Sequence, residues 1–179
     1  MKPTALELPL ELLASLGLRL AETDDRVFLQ TVYTSTRWQE LSVTDWSDAQ
    51  KHAFLEMQFR LQDTHYRTHY SNAQFLVVLE NDLPVGRIYL HSVLENSAPG
   101  ELRVMDIALL QEHRGRGIGR ALMHAVLERA RRSGQRVTLH VEHHNPARVW
   151  YERLGFRGLE DRGIYLFMEW RATQDSVLS

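Results

Sequence analysis

The stretch from Asp106 to Arg132 constrains this chain more than any other. It opens as an apolar run, Ile107-Ala108-Leu109-Leu110, and turns through Gln111-Glu112-His113. It then enters Arg114-Gly115-Arg116-Gly117-Ile118-Gly119-Arg120. A helical pattern follows at once, with Leu122, Val126 and Ala130 on one face and Gly134 as its stop. Glycines at alternate positions allow positive φ and put no Cβ between the backbone and a ligand. Successive N–H groups in such a turn form an anion nest, and the helix starting there adds the positive end of its dipole. Arg114, Arg116 and Arg120 place guanidinium forks around the same spot. The pattern is that of a phosphate cradle between a strand and a helix.

Elimination narrows the type of cradle. A Walker loop needs Lys-Ser/Thr after its last glycine, and no lysine lies near. A dinucleotide fingerprint starting at Gly115 and Gly117 would require glycine where Arg120 stands. What remains, Arg114-x-x-Gly117-x-Gly119 directly after a strand, resembles the pyrophosphate loop of the GNAT superfamily of acyl-CoA-dependent N-acyltransferases. A second motif lies some thirty residues downstream: Asn145-Pro146-Ala147-Arg148-Val149-Trp150-Tyr151-Glu152-Arg153-Leu154-Gly155-Phe156. It is similar to the family's Asn, apolar-Tyr and Leu-Gly-Phe segment, although Asn and Tyr are six apart here where many members have seven.

The resemblance carries expectations. It implies acetyl-CoA as acyl donor, with Arg114, Gly115, Arg116, Gly117, Ile118, Gly119 and Arg120 on its pyrophosphate. It also implies a bulged, splayed central strand whose Ile107 and Leu109 backbone groups hold the pantetheine arm and polarise the thioester. Tyr151 would reprotonate the leaving thiolate, and Asn145 would fix the local backbone beside the arm. The implied activity is direct acetyl transfer to a primary amine in a ternary complex. The alternative is a catalytically silent acyl-CoA-binding or sensor domain.

For removal of the ammonium proton the residues offer Asp106, the one carboxylate among Val104, Met105, Ile107, Ala108, Leu109 and Leu110. Apolar surroundings suit a general base. Aminoglycoside 3-N-acetyltransferases are similar here, with an aspartate at the same distance before the loop's first arginine. The competing reading is a structural aspartate paired with an arginine or a backbone amide, and Glu101 and Glu142 are rival bases. Among weaker constellations, His140, Glu142 and His144 alternate as zinc ligands on a strand could. The resemblance offers no metal role, so no metal is expected. His65 and His69, with Tyr66 and Tyr70, lie one turn apart on a helix as candidates for a metal site, an acceptor-pocket wall or a solvated helix end. Arg37 and Glu40 are acceptor-site candidates by position.

The chain's 179 residues, 44% hydrophobic and 25% charged, suit one globular domain over 1–179. A net charge of −2 argues against a nucleic-acid surface, and no apolar run approaches membrane length. The absence of cysteine excludes a thiol nucleophile and a disulfide framework. A cytoplasmic protein without a signal peptide is expected, and a homodimer is compatible with the sequence.

Residues 1–15 read as a lead-in and Leu16–Leu20 as a first strand. Helices are expected over 25–37 and from Asp45 or Ser47 to Tyr70, the second with Phe54, Met57 and Leu61 inward. Strands at 75–79 and 85–90 join across Asn81-Asp82, and a loop at 97–100 leads to the central strand at 102–110. A helix over 120–133, a strand at 137–141, a helix over 145–154 and a final hairpin complete the chain. Strands first, then strand and helix alternating, give an α/β (α+β) fold. It is a GNAT-like mixed, mostly antiparallel sheet of about six to seven strands with helices on both faces.

Overall fold

The structure, a computed structural model, describes residues 17–95 and 98–173. The expectations for residues 1–16 and for Ser97 lie outside the described residues; the rest of the loop expected over 97–100 is instead strand, because the ladder with the preceding strand extends to Ala98. Among those described there are seven strands: β1 (Leu18–Leu20), β2 (Gln74–Glu80), β3 (Leu83–Glu95), β4 (Ala98–Leu109), β5 (Arg136–Glu142), β6 (Arg157–Arg162) and β7 (Tyr165–Trp170). They form one sheet in the order β1-β2-β3-β4-β5-β7-β6. Every neighbouring pair is antiparallel except β4 and β5. Parallel strands need a crossover, and α3 (Ile118–Ser133) supplies it after the glycine-arginine turn. The other helices are α1 (Arg26–Arg37), α2 (Asp48–His69) and α4 (Ala147–Arg153). This is the mixed, mostly antiparallel architecture that the sequence implied.

Local chemistry sets the element ends. Ser47 caps α2 by accepting from the Gln50 N–H at 3.2 Å, while Gln50 accepts from the Ser47 N–H at 2.8 Å. Asn81 and Asp82 take φ of 51° and 64°, the positive pair that a two-residue hairpin requires. The helix expected from Asn145 starts at Ala147 because Asn145 is spent on capping: its Oδ1 accepts the Ala147 N–H at 2.9 Å.

Two cores flank the sheet. Leu76, Val78, Ile88, Val104 and Leu139 pack against Leu122, Met123 and Val126 of α3 and Tyr151 of α4. On the other face Val77 meets Leu29 and Tyr33 of α1 and Leu55 and Phe59 of α2. The α2 face differs from expectation. Met57 and Leu61 are 39% and 59% exposed, and Phe54 is partly buried. Two stripes one residue apart both satisfy a 3.6 period, and the sheet selects Leu55, Phe59, Gln62 and Tyr66.

The site is created where β4 parts from β5. In the β3–β4 ladder Tyr89 faces Asp106 and Leu90 faces Val104, so Met105 is an extra, bulged residue. On its other side β4 pairs β5 only from Glu101 against Arg136 to Val104 against Leu139. Beyond that point β4 stays with β3, while β5 stays with β7 to Glu142.

The closed end of this fork is held by Glu101, 4% exposed. Its carboxylate accepts from Thr138 Oγ1 at 2.6 Å, Arg103 Nη2 at 2.6 Å and Arg136 Nη2 at 2.8 Å. Burial alone would raise the Glu101 carboxyl, but Thr138 and the two guanidinium groups outweigh it and hold it below its ordinary range. A depressed folded-state pKa contributes stability that is present above the ordinary carboxylate value and lost as pH falls through the folded one. Glu101→Gln is therefore expected to cost on the order of 3 kcal/mol at neutral pH. The difference from the parent should shrink below about pH 4.5, the ordinary value of that carboxyl. Denaturant melts at pH 7 and pH 4 check this, and an equal loss at both would refute it.

Candidate active site

The turn after β4 takes the backbone states that the glycine-arginine run predicts. Leu110 leads into a single 3₁₀ turn, Gln111–His113, and Gly115 and Gly117 follow with φ of 71° and 86°. Only glycine takes that region without strain, so the Arg-Gly alternation is a backbone requirement at these two positions. The Arg114 N–H reaches the Gln111 carbonyl at 3.2 Å, and the Ala121 N–H makes the first helical bond, to Gly117. Between them, the N–H groups of residues 115–120 find no acceptor among the described residues. A Cβ built on Gly115, Gly117 or Gly119 would meet nothing within 4 Å. Six free donors at the N-terminus of a 16-residue helix, beside open space, fit a pyrophosphate.

The arginines are less uniform than the spacing suggests. Arg114 Nε donates back to the Leu109 carbonyl at 2.9 Å, tying the loop to the end of β4. Arg116 Nη1 lies 2.9 Å from Glu80, which His113 also contacts at 2.8 Å. Arg120 is exposed and has no ion-pair partner among the described residues. The loop's positive field therefore rests on its N–H groups, Arg114 and Arg120, with Arg116 partly neutralised by the end of β2.

From this loop the parted strands lead to a cavity of about 380 Å³. The Leu110 N–H bonds the Val85 carbonyl at 2.9 Å, toward β3. Strand alternation then turns the Leu109 and Ile107 N–H groups the other way, into the space β5 has left. Asp106, Ile107, Glu142, Asn145 and Tyr151 line the cavity together, so residues from both sequence motifs meet in one place. His140 lines it too. Its Nε2 faces Arg162 Nη1 at 3.1 Å, and burial, then Arg103 and Arg162, push the imidazole down. Among the described residues no three His, Asp or Glu side chains are placed to hold a metal ion.

Tyr151 is 7% exposed, packed against Phe156 and Trp150. Burial first, then the nearby Asp106 charge, raise its hydroxyl to about 12. It keeps its proton at any physiological pH and is present there as a donor. Gly155, at φ 96°, ends this segment where a Cβ would press on the Trp170 ring at 3.3 Å.

Asp106 has a partner that sequence reading missed. Arg87, 2% exposed, sits on β3 and donates Nη2 to Asp106 Oδ2 at 2.5 Å and to Gln62 Oε1 at 3.3 Å. Rings of Tyr89, Tyr33 and Phe59 surround its Cζ at 5.0, 5.7 and 6.0 Å. Burial would lower the guanidinium, and Asp106 more than restores it. The signal available in sequence was an arginine in the middle of an apolar strand, Val85-Gly86-Arg87-Ile88. Gln62 and Tyr66 from α2, Tyr70 just past its end, Arg103 from β4 and Tyr165 from β7 complete the walls. His65 and His69 stack outside the cavity at 4.3 Å.

A sheet opened by a bulge between its parallel strands, with a glycine-rich helix N-terminus at the mouth, defines the architecture of an acyl-CoA-dependent transferase. Over residues 24–156 the chain matches the Acetyltransferase (GNAT) family, and it belongs to that family. Among curated proteins no sequence match was found. Solved structures agree in fold. The PaiA N-acetyltransferase of Thermoplasma acidophilum, in complex with coenzyme A, is 18% identical, with 87% of this chain and 98% of that one covered at a TM-score of 0.64. Arabidopsis thaliana Naa50, bound to a CoA-peptide bisubstrate analogue, is 17% identical over 85% and 95% of the two chains, TM-score 0.56. A Corynebacterium glutamicum structure described as histone acetyltransferase HPA2 and related acetyltransferase is 19% identical over 89% and 98%, TM-score 0.61.

Asp106→Asn removes the counter-ion of a buried guanidinium, so it is expected to destabilise the fold by about 3–5 kcal/mol. The double variant Arg87→Met, Asp106→Asn should recover much of that loss. Thermal melts of the parent, the two single variants and the double variant decide it; additive losses would show the pair to be uncoupled.

Proposed function

We propose that this chain transfers the acetyl group of acetyl-CoA directly to a primary amine, both bound at once in the forked cavity. The observation that carries this reading is the run of six free N–H groups opening onto the gap where Tyr151, Asp106 and the freed edge of β4 meet. Residues 114–120 hold the pyrophosphate, Arg116 sharing its charge with Glu80. The pantetheine arm runs along the β4 edge, where the Ile107 and Leu109 N–H groups receive its amides and the thioester oxygen. Donors already aimed at the oxygen that becomes negative stabilise the tetrahedral intermediate without reorganisation. The amine's nitrogen attacks the thioester carbon, the carbon–sulfur bond breaks, and Tyr151 passes its proton to the departing sulfur. Asn145 keeps the turn before α4 in place through its cap on Ala147.

The ammonium proton leaves to a carboxylate of the acceptor side, and three candidates differ. Glu101 is saturated by Thr138, Arg103 and Arg136. Asp106 presents Oδ1, which has no partner among the described residues, but taking up a proton would leave Arg87 without its counter-ion. Asp106 thus orients the ammonium and Glu142, also lining the cavity, stands ready as the final acceptor. The domain assignment over 1–179 belongs to the same proposal.

Two variants test the reading. Gly119→Leu keeps a helix-compatible backbone with room for its Cβ, and sets a side chain beside the free N–H groups. CoA affinity by calorimetry is expected to fall at least ~10-fold while the melting temperature holds. Unchanged affinity would remove CoA from this loop. Tyr151→Phe keeps the packing and deletes only the hydroxyl, so kcat is expected to drop by ~10²-fold or more with CoA affinity retained. Full turnover in that variant would mean the thiolate leaves unaided.

A further inference from the structure

Which amine the cavity takes is written in how its charged walls are committed, and this step rests on the transfer reading above. Two arginines line the cavity, Arg37 and Arg103, together with two carboxylates, Asp106 and Glu142. Asp106 is compensated by Arg87 at 2.5 Å and Glu142 by Arg37 at 3.3 Å. Each carboxylate therefore has its own guanidinium. An acceptor with several ammonium groups would need uncompensated acids to meet them, and the two lining carboxylates are both matched.

The two arginines differ in what they leave open. Arg103 spends the Nε–Nη2 edge of its guanidinium on Glu101, at 2.9 and 2.6 Å. Arg37 makes all its bonds through Nη1: to Glu40 at 3.1 and 3.3 Å and to Glu142 at 3.3 Å. Its Nε and Nη2 donors have no partner among the described residues. That edge is the one that meets a carboxylate with two parallel N–H···O bonds. The Arg37–Glu142 contact is also the loosest of the ion pairs at this end of the fold; Arg103–Glu101 closes to 2.6 Å and Arg87–Asp106 to 2.5 Å. Both partners are about one-third exposed, so a ligand carboxylate can approach Arg37 beside it at little cost.

We propose that Arg37 is the acceptor-recognition residue and that the acceptor is a small amine carrying a carboxylate, a free amino acid or a close analogue. Its ammonium meets Asp106 Oδ1 near the thioester, and its carboxylate meets the open edge of Arg37 at the end of α1. Glu142 keeps its contact with Arg37 Nη1 and lies in the wall of the same cavity as the amine. Tyr66, Tyr70 and Tyr165 supply aromatic walls for an apolar or aromatic side chain. A volume of about 380 Å³, shared with the acetyl end of the donor, sets the size limit at a small molecule.

The test compares matched amines. Phenylalanine and phenethylamine differ by one carboxylate, and spermidine represents a polycation. With the full chain and acetyl-CoA, kcat/KM is expected to favour phenylalanine over phenethylamine by ~10- to 100-fold, the range of a charge-assisted bidentate contact. Arg37→Gln should abolish that preference through KM, and Arg37→Lys, which keeps the charge without the fork, should retain only part of it. Arg37 ends a helix at the surface, and melting curves verify that both variants fold. Equal or better use of phenethylamine or spermidine, or a preference that survives Arg37→Gln, would overturn the assignment. Silence with every amine would instead overturn the transfer reading. Calorimetry of phenylalanine on the CoA-bound protein then judges Arg37 separately: binding lost in Arg37→Gln supports the assignment, and binding that persists or never occurs refutes it.

Discussion

The parting of β4 from β5 after Val104 and Leu139 is the constraint on which the rest of the site depends. A parallel pair that ran its full length would bury the Ile107 and Leu109 N–H groups in a ladder, and there would be no cavity. Four paired positions hold the fork closed at one end, and Met105, bulged against β3, turns the strand away at the other. The stretch of closed ladder is short. Its stability therefore leans on side chains, and the ion cluster around Glu101 ties β4, β5 and β7 together through Arg103, Arg136 and Glu169.

The open end has its own electrostatic cost. Arg87 lies in the strand next to the opening, with Nε and Nη1 lacking hydrogen-bond partners among the described residues. A guanidinium desolvated to this degree is tolerable because Asp106 and three ring faces surround it. The pair also holds the Asp106 carboxylate at the bulge, where a flexible aspartate would otherwise turn to solvent. One interaction thus serves packing and the shape of the cavity wall together, so any activity change on substitution of Asp106 would be confounded with lost stability unless Arg87 is changed beside it.

Local features were legible in the sequence and non-local ones were not. The loop at 114–120 could be read because positive φ at Gly115 and Gly117 is a property of consecutive residues. The Asn81-Asp82 hairpin, the Ser47 cap and the stop at Gly134 are of the same kind. The two motifs also announced that Tyr151 and the loop belong together. By contrast, the α2 face could not be settled, because Phe54-Met57-Leu61 and Leu55-Phe59-Gln62 both keep helical period and only the sheet breaks the tie. Arg87 with Asp106, and Arg37 with Glu142, join residues 19 and 105 positions apart, and no local pattern encodes such pairs. Asp106 stood out in the sequence as the one carboxylate of an apolar run. That its partner is a buried arginine follows from register, since Tyr89 and not Arg87 is its ladder neighbour.

The two halves of the cavity differ in the same physical way. The donor half is made of main-chain N–H groups, whose positions are set by glycine φ values, a helix start and strand alternation. Any sequence that supplies those backbone states reproduces it, and chains only 17–19% identical can share the fold. The acceptor half is made of side chains from α1, α2, β4, β5 and β7, each free to change without disturbing the backbone beneath. On the proposed reading, specificity for the amine can drift while the donor site stays fixed. That second half carries compensated charge: two acids, each with a guanidinium, and one guanidinium edge without a partner among the described residues.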